Sequence, residues 1–148
     1  MSFFGVIDIA ASGLTAERLR MDVTAENLAN AQTTRTASGG PYQRQEVVLQ
    51  QAGGGNGFGA TLAGAIGSPS GTQGGVEVGG IVADPTPDKL VYDPGHPDAN
   101  AQGYVRMPNI NPVTEMVDLI SESRSYEANV TAMQTAKQMY TKTLDLLK

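Results

Sequence analysis

The sequence has no cysteine and no tryptophan. Without cysteine there is no disulfide framework, no zinc–thiolate site and no thiol nucleophile, and the redox compartment is left open. Aromatics are scarce, with three Phe and five Tyr in 148 residues, and the large aliphatic residues gather near the two ends, so no thick central core is expected. No run approaches the roughly 18 apolar residues that a membrane-spanning helix needs. The opening MSFFGVIDIA lacks a charged segment and a small-residue cleavage site, so neither direct membrane insertion nor a cleaved signal peptide is expected. The net charge is -5 and the ten basic residues are scattered singly, which leaves no basic stripe for nucleic acid.

Helix breakers are confined to the middle. All eight prolines lie between Pro41 and Pro112, and fourteen of the eighteen glycines lie between Gly39 and Gly80. The expected organisation is therefore an N-terminal helix over 1–32, a β-rich middle over 33–111 with a flexible glycine-rich loop at about 52–75, and a C-terminal helix over 112–148. The fold class is mainly α with a small β insertion, the two helices packing together as one coiled-coil-like domain.

In the first helix Ile7, Leu14, Met21 and Leu28 recur every seventh residue, a heptad seam on a rod about 40 Å long. It ends in ENLANAQTTRT, where Asn30 offers a left-handed cap in place of the usual glycine. In the last helix Met116, Leu119, Ser123, Tyr126, Val130, Met133, Lys137, Tyr140, Leu144 and Leu147 follow alternate spacings of three and four. Asn111 is its expected N-cap, and Pro112 stands where a first turn accepts proline. Ala128, Ala132 and Ala136 form a strip of small residues on its flank that admits a second helix closely.

Between the helices, YQRQEVVLQ from Tyr42, VEVGGIVAD from Val76, KLVYD from Lys89 and GYVRM from Gly103 read as short strands of a small antiparallel sheet. Chemistry is poorly represented. The single His96 lies in DPGHPD beside Asp93 and Asp98, where two prolines and a glycine favour a surface turn over a metal site. The glycine loop lacks the G-K-S/T of a phosphate cradle, and Ser121, Ser123 and Ser125 lie on a helix without a G-x-S-x-G elbow. No catalytic, cofactor-binding or metal-ligating residue is assigned.

Within SRSYEANV, Arg124, Tyr126, Glu127 and Asn129 fall in less than two turns. Arg124 and Glu127 can pair with neighbouring chains, and the amides of Asn129, Asn27 and Asn30 gain most when buried between helices. Each helix carries more apolar face than one partner covers, which favours either disorder or self-assembly.

These residues resemble a known family. SGLTAERLRMDVTAENLANAQTT, with Arg18, Leu19, Asn27, Leu28, Ala29, Asn30 and Thr33, is similar to the N-terminal signature of the bacterial flagellar axial proteins, the rod, hook and hook-associated family. Ser123, Arg124, Tyr126, Glu127, Ala128 and Asn129 match that family's C-terminal S-R-x-Y-E-A-N block. TTRTASGGPYQRQEVVL and the stretch from Ile81 to Ile120 resemble its proximal-rod members, and the G-Y-K continuation of distal-rod and hook relatives is absent. The resemblance implies a non-enzymatic subunit without cofactors. It would be exported unfolded by the flagellar type III apparatus and polymerise with itself and other rod proteins into the periplasm-spanning shaft. The terminal helices would form the inner tube and the middle an outer β-rich part. A secreted coiled-coil fibre or adhesin and a small hydrolase using His96 are the alternatives, and neither explains two matched terminal signatures.

Overall fold

The computed structural model describes residues 3–37, 39–52 and 74–146. Helix α1 spans Phe3–Ala29, followed by strands β1 (Gln45–Gln51), β2 (Val76–Ala83), β3 (Lys89–Tyr92) and β4 (Tyr104–Met107), and by helix α2, Pro112–Asp145. Terminal helices around a small β insertion are thus observed. The four expected strands form two separate two-stranded antiparallel sheets, β1 with β2 and β3 with β4. The expected loop at about 52–75 lies almost wholly outside the described residues, as does Leu147.

The helix ends follow local chemistry. At the start of α2 the Asn111 side chain accepts the Val113 N–H at 3.1 Å, and the Asn111 carbonyl accepts the Glu115 N–H at 3.1 Å. This is the expected N-cap, with Pro112 in the first turn and the Glu115 carboxylate near the positive end of the helix dipole. The end of α1 corrects the expectation of a left-handed Asn30: among the described residues no residue other than glycine has positive φ. Asn30 instead turns its side chain back, donating from Nδ2 to the Glu26 carbonyl at 3.0 Å while Oδ1 accepts the Thr33 hydroxyl at 3.1 Å. The Glu26 carbonyl also accepts the Asn30 N–H at 3.0 Å, so the side chain adds a second bond to the last turn in place of a backbone reversal.

The chain divides into two compact units, Met1–Arg18 with Leu49–Gly79 and Arg124–Lys148, and Leu19–Val48 with Gly80–Ser123. In the first, α1 buries Ala10 and Ala16. A Cβ on Gly13 would stand 3.1 Å from Asn129 Nδ2, so α1 and α2 approach closely there. Ser12 Oγ accepts the Val76 N–H at 3.1 Å, fixing the first residue of β2 against α1.

In the second unit the buried apolar residues are Val23, Tyr42 and Val105, with Pro108. The β3–β4 register pairs Val91 with Val105 and Tyr92 with Tyr104, so the pleat sends Val105 inward and leaves both tyrosines on the outer face, edge to face at 5.3 Å. Gly103, immediately before β4, has φ +81, and the Tyr92 ring leaves no room for a Cβ there.

Candidate functional site

The two helices meet in the second unit through polar groups. Along α1, Arg20, Thr24 and Asn27 are spaced four and three apart and share one face. On α2, Glu115 and Glu122 are seven apart, and among the described residues of that helix they are the buried ones. Thr24 donates to Glu122 Oε1 at 3.2 Å, Arg20 Nη2 lies 3.4 Å from the same oxygen, and Asn27 donates to Glu115 Oε2 at 3.3 Å.

Asn27 is 1% exposed and makes four hydrogen bonds. Its Nδ2 donates to the Gln45 carbonyl at 2.8 Å as well as to Glu115, while its Oδ1 accepts the Gln45 N–H at 2.9 Å and the Tyr42 hydroxyl at 3.1 Å. Two donors and two lone pairs are the whole capacity of the amide. The side chain therefore pairs with both the N–H and the carbonyl of Gln45 as a neighbouring strand would, at the first residue of β1.

Arg44, one residue earlier, donates from Nε to Glu115 Oε1 at 2.7 Å and also meets Glu46 and Asp84. Burial would lower the pKa of its guanidinium, but the hydrogen bonds to Glu115 and Glu46 outweigh that and raise it above its ordinary value. Arg44 stays cationic, which is what lets the Glu115 carboxylate be buried at 2% exposure. The Tyr42 hydroxyl is pushed above its ordinary value by burial and then by the negative charges of Glu26 and Glu115. A polar cleft of about 300 Å³ beside this node is lined by Arg20 and Arg44 but also by Asp118 and Glu122, so it selects no ion of one sign.

The residues expected at helix–helix contacts fall into three groups. Asn27 is buried inside its own chain. Ile7, Leu14, Met21, Leu28, Asn30, Leu119, Tyr126, Asn129, Val130 and Met133 are half-buried, whereas Met116, Arg124, Glu127, Tyr140 and Leu144 are exposed. In the first unit Val6, Ala128, Ala132, Ala136, Met139 and Tyr140 line an open apolar groove of about 940 Å³. Glu115, Glu122 and Arg44 escaped the sequence reading, which weighted apolar residues. Their signal was a seven-residue spacing of carboxylates opposite an Arg–Thr–Asn face. His96 lies in a turn, its Nδ1 accepting the Asp98 N–H at 3.1 Å.

The polar groups of Asn27, Arg44 and Glu115 bond to one another. Comparison with known proteins agrees with the terminal signatures. Residues 7–35 match the family described as flagella basal body rod protein, and residues 101–146 match the C-terminal family of flagellar basal body rod FlgEFG proteins. The flagellar basal-body rod protein FlgC of Bacillus subtilis is 46% identical over 152 residues, covering 100% of both chains. FlgC of Escherichia coli O157:H7 is 43% identical over 99% of this chain and 98% of its own. FlgC of Borreliella burgdorferi is 42% identical over 100% and 99%. A similarity that runs end to end through both helices and the β insertion leaves one conclusion, that the chain belongs to the FlgC family of flagellar basal-body rod proteins.

Proposed function

We propose that the chain is a non-enzymatic structural subunit of the proximal rod, polymerising helically through its terminal helices into the shaft that transmits torque and encloses the export channel. The observation that carries this is the exposure of large apolar residues of α2, Met116, Val117 and Ile120 in the second unit and Met139, Tyr140 and Leu144 in the first. Patches of this kind are rare on proteins that act alone and mark surfaces that other chains cover. The 128–132–136 alanine strip beside Met139 and Tyr140 suits close helix approach. A heterologous contact, one face of a subunit on a different face of the next, generates an open helical polymer rather than a closed ring.

In this reading α1 and α2 form a coiled-coil-like axial domain and the β insertion an outer part. Ile7, Leu14, Met21 and Leu28 on α1, with Val130, Met133, Tyr140 and Leu144 on α2, supply contacts within or between subunits, and Arg124 and Glu127 pair across them. The partners are further copies, the neighbouring rod proteins and the flagellar type III export apparatus. The absence among the described residues of a helix long and apolar enough to cross a membrane is compatible with that route.

Gene deletion tests the proposal. The expected result is loss of motility with basal bodies truncated at the rod; intact basal bodies in the deletion strain would overturn it.

A further inference from the structure

We propose that Asn27 is the positioning residue for the crossing from α1 to β1, and that it acts inside its own subunit rather than between subunits. The inference rests on the rod reading for its consequence but on the side-chain geometry for its substance.

An amide whose two N–H groups and two lone pairs are all engaged by Gln45, Glu115 and Tyr42 of the same chain has nothing left for a neighbour. Its burial removes it from any surface a second copy could reach. The contacts are also specific in kind. Pairing with the N–H and the carbonyl of one residue requires a donor and an acceptor side by side, and Tyr42 on the same acceptor fixes the approach to β1. The bond to Glu115 ties this junction to the first turn of α2.

Other residues fail for identifiable reasons. Aspartate keeps the acceptors for Gln45 and Tyr42 but loses both donors and sets a second carboxylate against Glu115. Leucine would orphan the Gln45 N–H and carbonyl and the Tyr42 hydroxyl. In the assembled rod, Asn27 therefore sets where the outer β part leaves the axial helix without touching the next subunit.

The test compares the full-length chain with Asn27→Asp and with Asn27→Asp/Glu115→Gln, which exchanges amide and carboxylate across the same hydrogen bond and preserves an acceptor for Arg44. The Gln45 amide exchange rate is measured by NMR in each purified protein, and swimming is scored in a deletion strain expressing each. In the unaltered chain the Gln45 amide is expected to be protected. Asn27→Asp loses the donor to the Gln45 carbonyl and sets like charges side by side, which should loosen the junction, speed the exchange about tenfold or more and reduce swimming. The double variant removes the repulsion but not the lost carbonyl bond, so it should exchange at least about threefold more slowly than the single variant and swim better than it. Fast Gln45 exchange in the unaltered monomer, unchanged exchange in Asn27→Asp, or a double variant no better than the single one would overturn the proposal. A swimming deletion strain would instead remove the rod reading and leave the exchange result standing.

Discussion

Arg44 donates from Nε to Glu115 Oε1 at 2.7 Å, joining the residue before β1 to the first turn of α2. Removing one partner of a buried pair strands the other, which costs about 3 to 5 kcal/mol when no substitute exists. Arg44 retains Glu46 and Asp84, so Glu115→Ala is expected to cost less, about 2 kcal/mol, and Glu115→Gln about 1 kcal/mol because the acceptor for Arg44 survives. Urea unfolding of the purified chain measures both, and equal midpoints for the two variants would contradict the pairing.

The Tyr42 hydroxyl, raised above its ordinary value by burial and the charges of Glu26 and Glu115, gives the fold an alkaline limit. A group whose folded pKa exceeds its unfolded value contributes stability that is complete below the unfolded pKa, here the ordinary tyrosine value of 10.0, and is lost as pH rises through the folded one. Stability should therefore fall above that pH, and the Tyr42 ring signal should titrate later by NMR than that of free tyrosine. In Tyr42→Phe this alkaline loss should shrink, at the expense of a lower plateau near neutrality from the missing bond to Asn27.

Gly103 combines a φ of +81 with a position where an added Cβ would lie 2.8 Å from Tyr92 Cε2. Gly103→Ala should destabilise by about 1 to 3 kcal/mol through backbone strain and displacement of the ring. The same substitution at Gly5, where nothing lies within 4 Å of the added carbon and the residue is helical, should stabilise by up to about 1 kcal/mol. Thermal melts of the two variants should thus shift in opposite directions.

Both helices, the α2 cap and all four strands were legible in the sequence because each rests on local chemistry: breaker placement, Asn111–Pro112, and β-branched runs between glycines and prolines. The strand partners were not, since β1 and β2 are separated by a long glycine-rich stretch that carries no register signal. The helix seam was misweighted for a different reason. The apolar heptads Ile7–Leu14–Met21–Leu28 lie half-buried, while among the described residues those buried on α1 are Ala10, Ala16, Val23, Thr24 and Asn27, and on α2 Glu115 and Glu122. In a chain built to assemble, apolar periodicity sums the faces turned to its own core and those offered to other subunits. The internal contact in the second unit uses polar pairs, which a hydrophobic pattern does not register.

Covering of the exposed apolar residues of α2 on assembly is the central claim, and the cysteine-free chain makes it directly measurable. Met139 is 65% exposed in the single chain, so Met139→Cys should leave stability within about 0.5 kcal/mol of the original and give a thiol that reacts readily with maleimide in the purified monomer. In basal bodies isolated from a motile strain carrying this variant, the thiol should be shielded, with labelling slowed by at least about tenfold. Equal labelling rates in monomer and assembled rod would contradict the account.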